Sequence, residues 1–310
     1  MSLSDRTAQL RDEPLTALRV RPILAGKRPP REAIITRLFR STLFVPGNRP
    51  ERFEKAANSG ADLIAIDLED AVPPEAKDEA RGIVMDSLAA PYSGAARRFI
   101  RINSPKTDAG LRDLVALIDS PTAPDGILIP MVGSADEVRW VDGLLAGHPD
   151  LELIAVIETT EGLDNAYDIA GASPRLCGVG FGSADFTAET GGTMEWDPLL
   201  YPRSRIAAAC ARHKVIAIDG VWLNMADEDG LIEETQGIKA IGFRGKIAIH
   251  PKQIPGIHKG FAPSEKEVAF AKKVVAAFEA AGGAATQADG QMIDLPLYES
   301  AQRTLAATEE

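Results

Sequence analysis

The sequence predicts a closed (β/α)8, or TIM, barrel of parallel strands, with a separate arm before it and a helical segment after it. Three observations predict this. Short apolar, β-branched runs recur eight times, and amphipathic stretches with apolar positions three and four apart lie between them. The runs start about 29 residues apart on average, the size of one strand-plus-crossover unit. They are Ser41–Pro46, Ala61–Glu69, Arg97–Asn103, Asp125–Val132, Leu151–Glu158, Leu176–Gly182, Val215–Val221 and Lys246–His250. The intervening helices include Ala76–Leu88, Ala109–Ile118, Ala135–Leu145 and Arg203–Arg212.

Strands as apolar as Leu63-Ile64-Ala65-Ile66 and Leu153-Ile154-Ala155-Val156-Ile157 suit a parallel sheet covered by helices on both faces. The rival, an open doubly wound sheet, lacks its Gly-x-Gly-x-x-Gly after the first strand; Gly178, Gly180 and Gly182 have a different spacing and read as close backbone packing. Residues 1–36 form an arm with seven Lys/Arg against four Asp/Glu. Residues 37–262 form the barrel. Residues 263–310 form an extension that opens with a capping box, Ser264 to Glu267, and a helix whose Val268, Ala271, Val274, Val275 and Phe278 share a face.

The 310 residues carry 34 Lys+Arg against 45 Asp+Glu, a net charge of −11, which disfavours a nucleic-acid scaffold. No apolar stretch approaches the ~18 residues of a membrane helix, and only Cys177 and Cys210 are present. A cytoplasmic protein without nucleic-acid or membrane partners is expected.

In such a barrel the chemistry sits where strands end. Those ends bring Glu69 and Asp70, Arg101 and Asn103, Glu158, Asp185 and His250. Glu158 and Asp185 come from adjacent strands about 5 Å apart, and two bare carboxylates that close repel each other. A hard divalent cation resolves the repulsion, and Mg2+ prefers carboxylate, water and substrate oxygens. The same residues also read as a helix cap at Glu158 and a turn at Asp185. Arg101, a planar fork beside such a site, suits a substrate carboxylate; its other reading is an internal ion pair with Asp67 or Glu69. A Schiff-base lysine is missing from the strand ends, since Lys246 opens its strand. The four histidines show no paired zinc-ligand spacing.

Four segments then meet in order along one chain: Arg40-Ser41-Thr42-Leu43-Phe44-Val45-Pro46-Gly47-Asn48, Asp67-Leu68-Glu69-Asp70-Ala71-Val72, Arg101-Ile102-Asn103-Ser104 and Ile249-His250-Pro251. Together they resemble the citrate lyase β-subunit-like family of acyl-CoA lyases, also called the HpcH/HpaI aldolase group, from about residue 38 to 305. The resemblance implies Mg2+ on Glu158 and Asp185, with Mn2+ not distinguished, and Arg101 on the substrate's acid end. It implies stacking and phosphate contacts to a thioester carrier from Phe44, Arg52 and Lys55, which otherwise read as an exposed helix face. It also implies pocket-lining roles for Ile249 and His250, and an acid–base carboxylate, Asp294, delivered into a neighbouring subunit's barrel. The protein would then be a homo-oligomer, a trimer or a multiple of three.

Two departures stand out: Met131 follows Pro130 where many relatives carry Lys, and Glu51 stands where a basic residue is common. The implied reaction is reversible cleavage of a 3-hydroxyacyl-CoA such as citramalyl-CoA or malyl-CoA to acetyl-CoA and a 2-oxo acid. Three other outcomes fit the same scaffold: a citrate lyase β-subunit acting on an acyl-carrier-protein thioester, a malyl-CoA thioesterase, and a non-catalytic regulatory module.

Overall fold

A computed structural model describes residues 39–308; the arm at 1–36 lies outside the described residues. All eight predicted strands form, β1 with the bounds of its apolar run and the other seven shorter at one or both ends. They are β1 (Ser41–Pro46), β2 (Leu63–Asp67), β3 (Arg97–Arg101), β4 (Gly126–Ile129), β5 (Glu152–Ile157), β6 (Leu176–Phe181), β7 (Ile216–Asp219) and β8 (Gly245–Ala248). They close in chain order into a parallel barrel, β8 pairing back onto β1. The register sets Pro46 beside Asp67 and Asp67 beside Arg101 at the carboxyl ends of the first three strands.

The helices of the barrel are α1 (Phe53–Ala57), α2 (Lys77–Ala89), α3 (Asp108–Asp119), α4 (Ala135–Leu144), α5 (Thr160–Asp164), α6 (Ala166–Ala170), α7 (Ser183–Thr190), α8 (Trp196–His213), α9 (Glu228–Ile241) and α10 (Ile254–Phe261). Helix α8 begins seven residues before the predicted Arg203, because Pro202 reads as a boundary yet lies inside the helix.

The period of two divides the strand side chains between two cores. Leu63, Ala65, Phe99, Leu128, Ile154, Val156, Ile216, Ile218 and Ile247 fill the barrel interior. Their neighbours Ile64, Ile66, Ile100, Ile127, Leu153, Ala155, Val179, Phe181 and Ala217 pack outward against the helices. Asp67, Arg101 and Glu158 continue the inward series at the mouth, where the apolar filling stops.

Charge is also buried in the outer layer. Lys246 does not reach the mouth: its Nζ donates to Asp219 Oδ2 and to Glu234 Oε1, each at 2.7 Å. Arg203 completes the set with Nε on Asp219 Oδ1 at 2.9 Å and Nη2 2.9 Å from Glu234 Oε2, and its guanidinium lies 5.2 Å from the Trp196 ring. Two cations face two anions between β7, β8, α8 and α9, so the charges balance within the layer.

The C-terminal lobe comprises α11 (Glu265–Ala280), a hairpin of β9 (Thr286–Ala288) and β10 (Gln291–Ile293), and α12 (Leu295–Ala306). The Ser264–Glu267 capping box forms. The hairpin stands where the sequence reads only as loose chain; Asp289 and Gly290, at φ 50° and 80°, make the two-residue turn that Asp-Gly favours. The lobe has its own core of Ala271, Val274, Phe278, Ile293 and Ala301, with Tyr298 stacked on Phe278 at 4.6 Å. Lys239, in the last turn of α9, meets Glu267 at 3.2 Å. Arg303 lies close enough to Arg244, just ahead of β8, to lower its pKa further after burial. Both links lie at the base of the barrel, the end away from the mouth.

Asp219→Ala leaves Lys246 and Arg203 buried with one carboxylate between them. The expected loss is about 3–5 kcal/mol of unfolding free energy, seen as a lower urea midpoint at unchanged slope. A midpoint within error of the wild type would show that the layer is hydrated.

Candidate active site at the barrel mouth

Asp67 ends β2 fully buried, and four donors converge on it. Arg101 Nε and Nη2 each donate at 2.7 Å to its two oxygens, and the backbone N–H groups of Glu69 and Ala71 donate at 2.9 and 3.0 Å. Burial opposes the charge on Arg101, but Asp67, followed by Glu69 and Asp70, holds its pKa above the ordinary arginine value. The fork expected to receive a substrate carboxylate is thus taken up by Asp67, the internal ion pair that is its other sequence reading. What Arg101 presents to the mouth is Nη1, 2.7 Å from Glu69 Oε2 and 3.2 Å from Asp70 Oδ2. Phe44 lies against the guanidinium, ring centroid 4.6 Å away, so its stacking partner within this chain is Arg101.

The turn after β2 is held from the helix side by Lys77, a residue that strand-end reasoning passes over because it opens α2. Its Nζ donates to the carbonyls of Leu68 and Glu69 at 3.0 and 2.8 Å and to Asn103 Oδ1 at 2.5 Å. Asn103 therefore turns away from Arg101, and its N and Nδ2 both donate to Asp113 Oδ2 at 2.8 Å. Arg81 Nε donates to the other Asp113 oxygen at 2.6 Å. The only early signal for this network is a Lys and an Arg four apart at the start of a helix that follows a site loop.

Glu158 follows β5, buried, and accepts the backbone N–H of Met131 at 2.8 Å. It does not cap the next helix; Thr159 does, accepting from Gly162 N at 3.1 Å. Asp185 stands exposed in the first turn of α7. Burial first, then the nearby Asp185 carboxylate, pushes Glu158 up to about 7 against the lowering effects of the Met131 N–H and Arg101. Burial likewise pushes Glu69 up to about 9, with Glu158, Asp70 and Asp67 adding to it and Arg101 opposing. Gly182 makes room: a Cβ there would lie 2.2 Å from Glu158 Oε2. Glu69 Oε2, although close to Arg101 Nη1, lies off its N–H directions and is buried without a hydrogen-bond partner.

Five carboxylates, Asp67, Glu69, Asp70, Glu158 and Asp185, thus share this region with Arg101. Among the described residues no group of three or more His, Cys, Asp or Glu side chains has metal-binding geometry. The facing pair Glu158 and Asp185 is instead the sparse set that Mg2+ accepts when water and substrate oxygens supply the remaining positions. The raised pKa values of Glu158 and Glu69 fit a site with too little positive charge of its own.

Other expected residues lie apart from this cluster. Arg52 and Lys55 are exposed on the short segment before and within α1, and Arg52 lies 3.9 Å from Glu51. Ile249 is exposed with its N–H held by Gln253 Oε1 at 2.9 Å, and His250 Nδ1 accepts from Lys252 N at 3.1 Å, capping the turn at Pro251–Gln253. Asp294 accepts Leu297 N at 3.2 Å as the N-cap of α12. No hydrogen bond or ion pair joins it to Arg101, Glu158 or Asp185.

The HpcH/HpaI aldolase/citrate lyase family model matches residues 40–251. This chain belongs to that family. The citrate lyase subunit beta of Leuconostoc mesenteroides subsp. cremoris is 36% identical over 282 residues, covering 87% of this chain and 93% of that one. The L-malyl-CoA/beta-methylmalyl-CoA lyase of Rhodobacter capsulatus is 35% identical over 305 residues, covering 89% and 95%. Among solved structures, CitE from Mycobacterium tuberculosis in complex with magnesium, acetoacetate and coenzyme A superposes with a TM-score of 0.77 at 34% identity, covering 89% of this chain and 100% of that one. Family membership agrees with the closed barrel and with a lyase scaffold. No helix among the described residues is long and apolar enough to cross a membrane.

A carboxyl that holds its proton to about pH 7 must release it when a cation binds. Mg2+ affinity should therefore rise about tenfold per pH unit up to about pH 7 and then level off, with proton release visible by calorimetry in buffers of different ionisation heat. By the same linkage the metal-free fold binds more protons than the unfolded chain between 4.5 and about 7, so its stability falls as pH rises through that window. A flat affinity profile without proton release would remove Glu158 from the cation site. Gly182→Ala, whose methyl meets Glu158 Oε2, should weaken Mg2+ binding about tenfold while circular dichroism stays unchanged; unaltered affinity would mean that the carboxylate has another resting place.

Proposed function

We propose that this protein is a Mg2+-dependent carbon–carbon lyase that cleaves a 3-hydroxyacyl-CoA, of the citramalyl-CoA or malyl-CoA type, to acetyl-CoA and a 2-oxo acid. The observation that carries the reading is the facing Glu158–Asp185 pair beside the buried Arg101, at the mouth of a barrel whose relatives are named lyases. Mg2+, bound by Glu158 and Asp185, supplies Lewis acidity toward substrate oxygens and neutralises the two carboxylates; Mn2+ would satisfy the same oxygen donors.

The chain's own residues do the rest. Arg101 Nη1, fixed by Asp67 and Phe44, offsets the negative charge of the 2-oxo acid end. Glu69, whose carboxyl burial pushes up to about 9, faces the same space. As the substrate's hydroxyl proton passes to solvent, its oxygen lone pair closes the C=O of the 2-oxo acid and the carbon–carbon bond breaks toward the acetyl-CoA enolate, whose carbon then takes a proton. Asp294 of a second subunit is the proposed donor: within its own chain it sits in a lobe tied to the barrel base. A homo-oligomer follows from that requirement, and a trimer or a multiple of three is the state the family resemblance implies. Phe44, Arg52 and Lys55 remain the proposed contacts to the thioester carrier, and Ile249 and His250 the proposed lining of the substrate pocket. The similarity to a citrate lyase subunit beta favours one second reading, action on an acyl-carrier-protein thioester in a larger complex.

The test incubates purified protein with acetyl-CoA and a panel of 2-oxo acids, or with the hydroxyacyl thioesters, and identifies products by mass. Glu158→Ala and Asp185→Ala should abolish turnover in a folded barrel, and activity surviving EDTA would refute the metal role. Asp294→Asn should lower turnover roughly 10²–10⁴-fold. Mixing it with Glu158→Ala subunits after dissociation should restore part of the activity, and none returning in proven mixed oligomers would confine Asp294 to its own chain. Release of free CoA would mark a thioesterase instead.

A further inference from the structure

Met131, the second residue after β4, is where the chain turns toward α4, and it is one of three non-glycine residues in the described chain with positive φ, at 54°. An L side chain in this left-handed region is strained, and such strain persists only where the surroundings over-determine it. They do so here. Val132 N donates to Val156 O at 3.1 Å, Gly133 N to Glu137 Oε2 at 3.2 Å, and Asn165 Nδ2 to Gly133 O at 2.8 Å. The chain after Met131 is therefore pinned, and Met131 carries the left-handed turn.

Both polar groups of Met131 point to charges. Its N–H donates to Glu158 Oε1 at 2.8 Å, and its carbonyl lies 3.4 Å from Lys106 Nζ. Lys106 is fixed in turn by Glu137, 3.1 Å away. Met131 itself brings no charge to the mouth, but Lys106, from the neighbouring β3–α3 loop, brings an ammonium to its carbonyl. Glu158 Oε2 is left over Gly182, where a Cβ would reach it.

We propose that Met131 is a positioning residue: its left-handed backbone, clamped by Lys106, ties down Oε1 of Glu158 and leaves Oε2 aimed at the cation. The inference rests on the reading of Glu158 as a metal ligand. It concerns the backbone of Met131 and not its side chain, which makes it separable by substitution. Asn and Gly tolerate positive φ, whereas a β-branched residue there is a conformational outlier.

The experiment titrates Mg2+ into the full-length protein by calorimetry, with thermal unfolding recorded for every variant. Met131→Asn and Met131→Gly should keep the wild-type affinity within about twofold, while Met131→Val should weaken it about tenfold. Lys106→Met, at an exposed side chain, should weaken it about threefold with an unchanged Tm, and Lys106→Arg should restore it. Equal affinity in all three Met131 variants, or equal loss in all three, overturns the proposal. If Met131→Val fails to fold, Lys106→Met decides, and unchanged affinity there overturns the clamp. Glu158→Gln separates the two levels: if it binds Mg2+ as the wild type does, the metal reading itself has failed, whatever Met131 does.

Discussion

The Asp67–Arg101 pair is the contact on which the mouth depends. A carboxylate fully buried at a strand end is stable only when its oxygens are satisfied, and here Arg101 provides two bonds and the following turn two more. Meeting that requirement fixes three things together. The guanidinium plane is set by the register of β2 and β3, which places the two residues side by side. Phe44 from β1 then covers that plane. The chain from Glu69 to Ala71 must curl back over Asp67, which holds Glu69 and Asp70 beside the remaining guanidinium edge.

The barrel handles charge in two different ways. Between β7, β8, α8 and α9 two cations and two anions are matched one for one and sealed from water; Asp219 there titrates below the usual carboxylate range, because Lys246 and Arg203 outweigh the cost of burial. At the mouth the balance runs the other way, and Glu158 and Glu69 are pushed upward. Both clusters contain buried, hydrogen-bonded carboxylates, so burial alone does not mark function. What distinguishes the mouth is the shortage of positive charge, which leaves Glu158 and Glu69 raised where Asp219 is lowered. A structural network is closed on itself, whereas a site that must take up a cation or a polarised substrate leaves part of its field uncompensated.

The same contrast explains what could be read from the sequence. The eight strands were legible because a strand buried on both faces must be apolar along its whole length, as Leu153 to Ile157 is. Boundaries were less so, since Asp67, Glu158 and Asp219 mark strand ends only once their partners are known. The start of α8 was hidden by Pro202, a residue whose usual effect on a helix is overridden here by packing of the barrel wall. The β9–β10 hairpin carried a signal, Asp289-Gly290, that the loose composition around it obscured.

Within the site, Glu158, Asp185, Glu69, Asp70 and Arg101 were visible because strand ends are where such a barrel concentrates polar groups. Lys77, Asp113 and Met131 were not visible as site supports. Lys77 and Asp113 sit in helices, where a charged residue ordinarily faces solvent, and their roles arise only when α2 and α3 are brought against the ends of β2 and β3. Met131 acts through a left-handed backbone, which a methionine in the sequence does not signal. The orientation of Arg101 belongs to the same class. The period of two placed it inward, but whether its fork turns to a substrate or to Asp67 is decided by which acid the register sets beside it. First contacts between side chains and chemistry can be read from strand pattern. The supports that fix those side chains are tertiary, and they come into view only with the packing.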